Sequence, residues 1–378
     1  MTATSDVIVV GGGIAGLTVA LALADDGRRV TVLDDPRAGA ASRAAAGMLA
    51  ASTGFPAGIR ASATAARDLY PALVDRLRET TGIDVPLDRR GILEVAEQDE
   101  DLAALRAGAP PGTRQINALE LRELEPALAR HAGGCLYPHD GSVENMILMD
   151  ALRVAATRHP LVARCVSSVV AARFGAADAV ATTESGDRYA ARHLVLAGGA
   201  WTGQPAGLPR AIPVRPVRGQ IVLLEAQPLR HVVHAPDGYL VPRDRTLLVG
   251  ATMEEAAWNA GTTEEARTSL LTAASRIAPG LSEARVVRQW AGLRPMTPDQ
   301  QPILGRDPDE PALLYACGMS RNGILFAPWA AQQLARLLRG DDDGALGPFA
   351  IARFDDAPGI RPTPGAAGDG LAVKDNHQ

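Results

Sequence analysis

Residues 7–16 read Val7-Ile8-Val9-Val10-Gly11-Gly12-Gly13-Ile14-Ala15-Gly16. The β-branched residues at the start predict a short strand, and the alanine-rich residues 17–24 that follow predict a helix. Three spaced glycines lie between these two elements. Gly11 permits a sharp turn, Gly13 lets the backbone approach a pyrophosphate, and Gly16 lets the helix pack closely on the strand. The pattern predicts a dinucleotide site in which the helix N-terminus binds the phosphates.

A second strand is predicted over residues 30–33, and it ends in Asp34, which lies 18 residues after Gly16. At this distance a carboxylate can accept hydrogen bonds from the ribose hydroxyls of a bound dinucleotide. The glycines and Asp34 suit FAD and NAD equally well. The first fifty residues therefore predict the class of cofactor and leave its identity open.

Composition sets the broad class of the protein. A chain of 378 residues with 47% hydrophobic and 21% charged residues is typical of a globular enzyme with two domains. A net charge of −5 argues against a nucleic-acid partner. The three cysteines lie far apart without a C-x-x-C pair, so we expect neither a disulfide framework nor a metal site. Because the first strand begins almost at once and no long apolar stretch occurs, we expect a cytoplasmic protein without membrane attachment.

The chain changes character along its length. Helical patterns, including one over 145–158, alternate with strands in the first 200 residues, whereas residues 210–288 contain short strand candidates separated by turns. We therefore predict an α/β protein in which a Rossmann-like nucleotide domain is interrupted by a second α+β domain on a mixed or antiparallel sheet. The predicted boundaries are 1–83, 142–208 and 290–352 for the nucleotide domain, 84–141 and 209–289 for the second domain, and 353–378 for a polar C-terminal tail.

Four later segments, taken with the first, resemble the D-amino acid oxidase family of FAD-dependent amine oxidases. They are ASRAAAGML at 41–49, LAGGAW at 196–201, AGLRP at 291–295 and CGMSRNGILFAP at 317–328. The resemblance implies FAD as the cofactor, a nucleotide domain of the glutathione-reductase type, and an inserted substrate domain. It also implies a homo-oligomer that uses O2 and a small amino acid.

Within that family, two segments resemble the glycine oxidase branch, which serves thiazole and thiamine formation in many bacteria. They are SRAAAGML at 42–49, and GYLVPR at 238–243 followed by VGATME at 249–254. Asp237 departs from the pattern, because some relatives carry a histidine there. The resemblance implies hydride transfer from glycine, sarcosine or a small D-amino acid to flavin N5. The products would be an imine, then glyoxylate and ammonia, with O2 reduced to hydrogen peroxide.

The resemblance also implies the roles of individual residues. Arg294, which follows a predicted glycine-containing turn, would bind the substrate carboxylate, because guanidinium binds carboxylate in a bidentate manner. Tyr239 would donate a further hydrogen bond, and Arg321 would lie near both flavin and substrate, so these three are the candidate catalytic residues. Met48 and Met253 would line the substrate pocket. The expected FAD-binding residues are Gly11, Gly13, Ile14, Ala15, Gly16, Asp34, Asp35, Ala41, Ser42, Arg43, Ala46, Gly47, Met48, Val166, Ala197, Gly198, Gly199, Trp201, Met319, Ser320, Arg321, Asn322, Gly323, Ile324 and Leu325.

Several alternatives stay open from the sequence. Sarcosine, another N-methyl amine or a small D-amino acid could be the preferred substrate, since one methyl group changes binding by only about 1–3 kcal/mol. Three other functions are also open. The protein could be a dehydrogenase that passes electrons to another acceptor, a non-catalytic flavoprotein or an NAD dehydrogenase. We expect the flavin to be held without a covalent bond, although Cys317 lies where a thioether could form in related sarcosine oxidases.

Overall fold

The computed structural model describes residues 5–175 and 178–355. The α-helices of this part are α1 (Ile14–Asp25), α2 (Ala41–Ala44), α3 (Ala57–Asp68), α4 (Tyr70–Thr81), α5 (Asp99–Gly108), α6 (Ala118–Leu124), α7 (Asn145–Arg158), α8 (Glu264–Ile277) and α9 (Gly323–Arg339). The strands are β1 (Ser5–Val10), β2 (Val30–Asp34), β3 (Met48–Leu49), β4 (Leu87–Asp88), β5 (Ile92–Ala96), β6 (Arg114–Asn117), β7 (Gly133–Tyr137), β8 (Gly141–Val143), β9 (Val162–Val166), β10 (Val169–Phe174), β11 (Ala179–Thr183), β12 (Arg188–Leu196), β13 (Arg215–Leu224), β14 (Val232–Ala235), β15 (Gly238–Arg243), β16 (Thr246–Gly250), β17 (Val286–Met296), β18 (Ile303–Arg306) and β19 (Leu313–Cys317).

The first sheet carries the glycine-rich turn. Strand β1 pairs in parallel with β2 on one side and with β12 on the other, and β12 continues the parallel arrangement to β19. Val7, Ile8 and Val9 are fully buried, because apolar layers cover both faces of the sheet. Helices α1, α7 and α9 pack on one face in a single apolar cluster. The loops that follow β1, β2, β12 and β19 therefore meet at one edge, where parallel α/β sheets bind nucleotides.

The second sheet is mixed, with the order β17-β13-β16-β15-β14-β5-β7-β6. Its neighbouring strands are antiparallel except for β14 and β5, which run parallel. A third, small sheet joins β3, β8 and β4. The predicted Rossmann-like domain with a second domain on a mixed sheet is confirmed.

Side-chain alternation gives the second sheet two different faces. Val233, Leu240 and Val249 point to one face, where they pack in an apolar cluster with residues of α8. The adjacent residues His234 and Tyr239 point to the opposite face, where Gly250 pairs with Tyr239. The second face carries a smaller apolar cluster that includes Val232 and Val241, with the polar side chains of His234 and Tyr239 beside it.

Some expectations about boundaries differ from the structure. The predicted boundary at 142 lies inside β8, and the boundary at 290 lies inside β17, which stays paired with β13 as far as Met296. The predicted tail begins at 353, yet Arg353 and Phe354 belong to a 3-10 helix; the rest of that tail, from 356 to 378, lies outside the described residues. In the part of the chain that the structure describes, no helix is long and apolar enough to cross a membrane.

Candidate active site

One cavity of about 530 Å³ is lined by loops of the first sheet and by the face of the second sheet that carries Tyr239. Gly11, Gly12 and Gly13 border it after β1, and Asp34 borders it at the end of β2. Tyr239 and Arg294 border it from the second sheet. The predicted cofactor site and the predicted substrate site are therefore two ends of one continuous space.

The glycine turn is tight in the way its sequence predicts. Gly11 has φ of +110°, and a Cβ atom there would lie 2.5 Å from the carbonyl oxygen of Ala197. A Cβ atom on Gly16 would lie 1.8 Å from the carbonyl oxygen of Gly11. These positions admit only glycine, so the backbone at the start of α1 remains open to the cavity.

Two side chains border the start of α1. The backbone N–H of Gly12 donates to Oδ1 of Asp34 at 2.7 Å, which fixes the carboxylate beside the turn. The N–H of Ile14 donates to the hydroxyl oxygen of Ser42 at 3.0 Å. A carboxylate next to a glycine turn and N–H groups at a helix N-terminus are the groups that bind the ribose and pyrophosphate of a dinucleotide.

Arg294 is held over a glycine at the other end of the cavity. Its Nη1 donates to the carbonyl oxygen of Thr252 at 2.9 Å and to that of Arg218 at 3.3 Å. A Cβ atom on Gly219 would lie 2.1 Å from this Nη1, so the guanidinium occupies the space that any side chain at 219 would need. Burial lowers the pKa of Arg294, and the charge of Arg321 adds to this effect. The guanidinium nevertheless keeps its charge, because its ordinary pKa is so high.

Tyr239 fits into the sheet in a similar way. It pairs with Gly250 on β16, and a Cβ atom on Gly250 would lie 2.4 Å from the phenol oxygen. Burial raises the pKa of Tyr239, whereas the positive charges of Arg294 and Arg321 act against this rise. The phenol therefore keeps its proton and can donate a hydrogen bond into the cavity.

Arg321 lies in the loop between β19 and α9. Gly318 has φ of +60° and Ser320 has φ of +48°, so the backbone turns sharply before Arg321. The hydroxyl of Ser320 lies 3.2 Å from that of Thr297, in a buried contact at the end of β17. This turn places the exposed Arg321 on the cavity wall, where its charge lowers the pKa of Arg294.

His234 is a cavity residue that the sequence did not predict. It lies directly across from Tyr239, with ring centroids 6.0 Å apart, and its Nε2 lies 3.1 Å from Sδ of Met48. Burial lowers the pKa of His234 to about 4, with a smaller contribution from the charge of Arg321. The imidazole is therefore neutral at physiological pH.

Most of the predicted site residues line the cavity, and four do not. Gly16 packs beneath the turn, and Leu325 is buried in the apolar core on the far side of its helix. Val166 is 84% exposed at the end of β9, and Met253 is 55% exposed on a loop after β16. Contact of these last two residues with a ligand stays a prediction, and Val166 borders a second cavity together with Asp35 and Ser167. Residues on the cavity wall that the sequence did not predict include Arg37, Glu94, Ser167, Ser168, Gln204, Gly219 and His234.

Cys317 ends β19 and borders the cavity. It is 2% exposed, and burial raises the pKa of its thiol to about 12. A thioether requires the thiolate as nucleophile, and this thiol stays protonated. The residues present therefore suit an FAD that is held by non-covalent contacts alone.

If Asp34 binds the ribose, Asp34→Asn should weaken FAD binding roughly ten- to hundredfold, because a hydrogen bond to a charged acceptor contributes about 1.5–3 kcal/mol. The asparagine side chain retains an oxygen that accepts from the Gly12 N–H. The loss of FAD affinity therefore measures the missing negative charge and the missing acceptor for the ribose. Titration of the apoprotein with FAD, followed by flavin fluorescence, measures the Kd. Asp75→Ala, which removes an exposed ion pair on α4, is the matched control. A Kd for Asp34→Asn within twofold of wild type would remove Asp34 from the cofactor site.

The sequence matches the family described as DAO, FAD dependent oxidoreductase, over residues 6–337. It is 34% identical to the glycine oxidase of Geobacillus kaustophilus over 95% of this chain and 100% of that protein. It is also 37% identical to the bifunctional protein ThiO/ThiG of Synechocystis, of which it spans 52%. The crystal structure of glycine oxidase from Geobacillus kaustophilus superimposes with a TM-score of 0.88 at 32% identity, covering 93% of this chain and 99% of that one.

The cavity, the glycine turn and these matches agree with one another. The match spans both sheets and every segment that borders the cavity. The chain belongs to the DAO family of FAD-dependent oxidoreductases.

Proposed function

We propose that the protein oxidatively deaminates glycine, and also accepts sarcosine or small D-amino acids. The observation that carries this proposal is the guanidinium of Arg294, which is anchored by two backbone carbonyls inside the cavity that also contains the dinucleotide turn. A partly buried, permanent cation needs an anionic partner, and the carboxylate of an amino acid supplies one with matching geometry.

Three side chains bind the substrate, each through a different contact. Nη1 of Arg294 is committed to backbone carbonyls, so the remaining guanidinium N–H groups are left for Tyr239 and for the substrate carboxylate. Tyr239 retains its phenol proton and donates a second hydrogen bond to the same group. Arg321 adds positive charge at the cavity wall. Together these contacts hold the substrate by its carboxylate and fix the position of the α-carbon.

The same charges favour the reactive form of the amine. Arg294, Arg321 and the neutral His234 supply no negative charge beside the substrate nitrogen, and two cations nearby disfavour an ammonium group. The neutral amine can then form a C=N bond as the α-carbon loses its hydride. FAD, when bound, supplies the acceptor for that hydride, and O2 afterwards takes up the electrons to give hydrogen peroxide. Water hydrolyses the imine to glyoxylate and ammonia.

The same proposal includes a biosynthetic role and an oligomeric state. The relatives named ThiO/ThiG and glycine oxidase support a place in thiazole and thiamine formation. The ThiO/ThiG protein is about twice as long, so only the oxidase part has a counterpart here. A homo-oligomer, implied by the resemblance, stays a prediction.

A peroxide-coupled assay with glycine, sarcosine and D-alanine tests this proposal, with oxygen uptake recorded in parallel. We expect hydrogen peroxide from glycine with one O2 consumed for each molecule of glyoxylate formed. Turnover of only sarcosine or D-alanine would assign the protein to another substrate within the family. Reduction of an artificial dye without oxygen uptake would make it a dehydrogenase.

A further inference from the structure

Glu94 is a carboxylate on the cavity wall that the reaction above does not use. It lies on β5 of the second sheet, and its side chain borders the same cavity as Tyr239 and Arg294. Strand register puts Glu94 directly beside His234, and His234 directly beside Tyr239. Because paired residues share a face, the three side chains form one row on the cavity side of the sheet.

The surroundings of Glu94 leave one oxygen free. Its Oε2 accepts a hydrogen bond from the phenol of Tyr137 at 2.8 Å, and Tyr137 is 2% exposed. Burial and the neighbouring Glu94 raise the pKa of Tyr137, so the phenol stays a donor. Within residues 5–175 and 178–355, no cationic side chain forms an ion pair with Glu94, and the hydrogen bond from Tyr137 reaches Oε2 and not Oε1. Oε1 is therefore a free acceptor at the cavity.

The cavity is consequently polarised. Within its substrate end, Arg294 and Arg321 make one side positive, the neutral His234 lies between, and the carboxylate of Glu94 lies on the other side. Neighbouring strands lie ~4.8 Å apart, so the backbone of Glu94 lies roughly 10 Å from that of Tyr239. Glycine bound at Arg294 is too short to extend along this row.

We propose that Glu94 and Tyr137 form a second subsite, which binds a cationic group carried by the amine substituent of an extended glycine derivative. This proposal rests on the proposed function, since Arg294 must bind the carboxylate of the same molecule. The substrate class is then N-substituted glycines that end in an ammonium or guanidinium group. A partly buried carboxylate without its own cation attracts such a group more strongly than a solvent-exposed one does.

The test compares N-(ω-aminoalkyl)glycines of two to five methylenes with N-alkylglycines of equal length, using the FAD-loaded enzyme. For the chain length that fits best, we expect wild type to show about tenfold higher kcat/KM for the cationic compound. In Glu94→Gln, which retains an acceptor for Tyr137, this ratio should fall to about one. The rate of anaerobic flavin bleaching at subsaturating substrate should show the same change in the ratio.

Asp237→Asn is the matched control. Asp237 lies at the turn between β14 and β15, but its carboxylate pairs with Arg276 of α8, on the opposite face of the sheet. Its substitution should leave the cationic-to-neutral ratio at the wild-type value. An equal ratio in wild type and Glu94→Gln, with glycine still oxidised, would overturn the subsite alone. Absence of turnover with glycine and with every derivative would instead overturn the proposed function.

Discussion

Arg294→Ala should lower kcat/KM for glycine about a thousandfold, and most of the loss should be a higher KM. Removing one partner of a partly buried, hydrogen-bonded charge pair costs about 3–5 kcal/mol, because the other charge is left in the site without compensation. Two backbone carbonyls fix the guanidinium before substrate binds. Substrate binding therefore loses little free energy to ordering the arginine side chain. Arg294 is expected to bind the substrate and the transition state equally well. Loss of such an interaction raises KM and leaves kcat nearly unchanged.

Steady-state kinetics over a wide range of glycine concentrations measure this effect. Arg288→Ala is the matched control, because Arg288 lies on the same strand, is exposed and does not border the cavity. We expect the control to stay within twofold of wild type, and both variants to retain FAD. Unchanged turnover of subsaturating glycine by Arg294→Ala would exclude this residue as the carboxylate anchor.

Gly219→Ala should lower kcat/KM for glycine about a hundredfold without loss of FAD. The new methyl carbon would lie 2.1 Å from Nη1 of Arg294, so the guanidinium must leave its two carbonyl partners. Gly219 is not one of the glycines with a positive φ, so its strand backbone is compatible with alanine. The effect is therefore expected to act through the displaced arginine, since misplacement of a binding group by about 1 Å can cost 10²-fold.

A double variant distinguishes displacement of the Arg294 guanidinium from a general disturbance of the fold. If Gly219→Ala acts through Arg294, adding it to Arg294→Ala should change kcat/KM by less than threefold. Gly58→Ala is the control, because a Cβ atom at 58 meets no neighbour within 4 Å. Full additivity of the two single effects would show that Gly219 acts by some route other than the guanidinium.

The nucleotide-binding half was predictable because its signals are local. The strand, the three glycines and the strand that ends in Asp34 lie within one short segment. Gly11 and Gly16 are required by close backbone contacts, and Gly13 lies against the hydroxyl oxygen of Ser42. The helix predicted over 145–158 has those bounds in the structure. Local periodicity and turn chemistry are sufficient for such elements.

The substrate half depends on pairing between distant segments. Glu94 and His234 become neighbours only because β5 and β14 pair in parallel, and no local pattern indicates that partner choice. Arg294 was predicted after a turn, but it lies within the long strand β17, whose pairing with β13 overrides the local glycine signal. Gly219 did carry a usable signal, because a glycine inside a strand often marks a close approach of another group.

The most direct test of the whole account is the absorbance spectrum of the purified, FAD-loaded protein before and after glycine is added without air. We expect the oxidised flavin band to be lost on addition of glycine and to return when air is admitted. A protein that binds FAD but keeps an unchanged spectrum with glycine, sarcosine and D-alanine would contradict it.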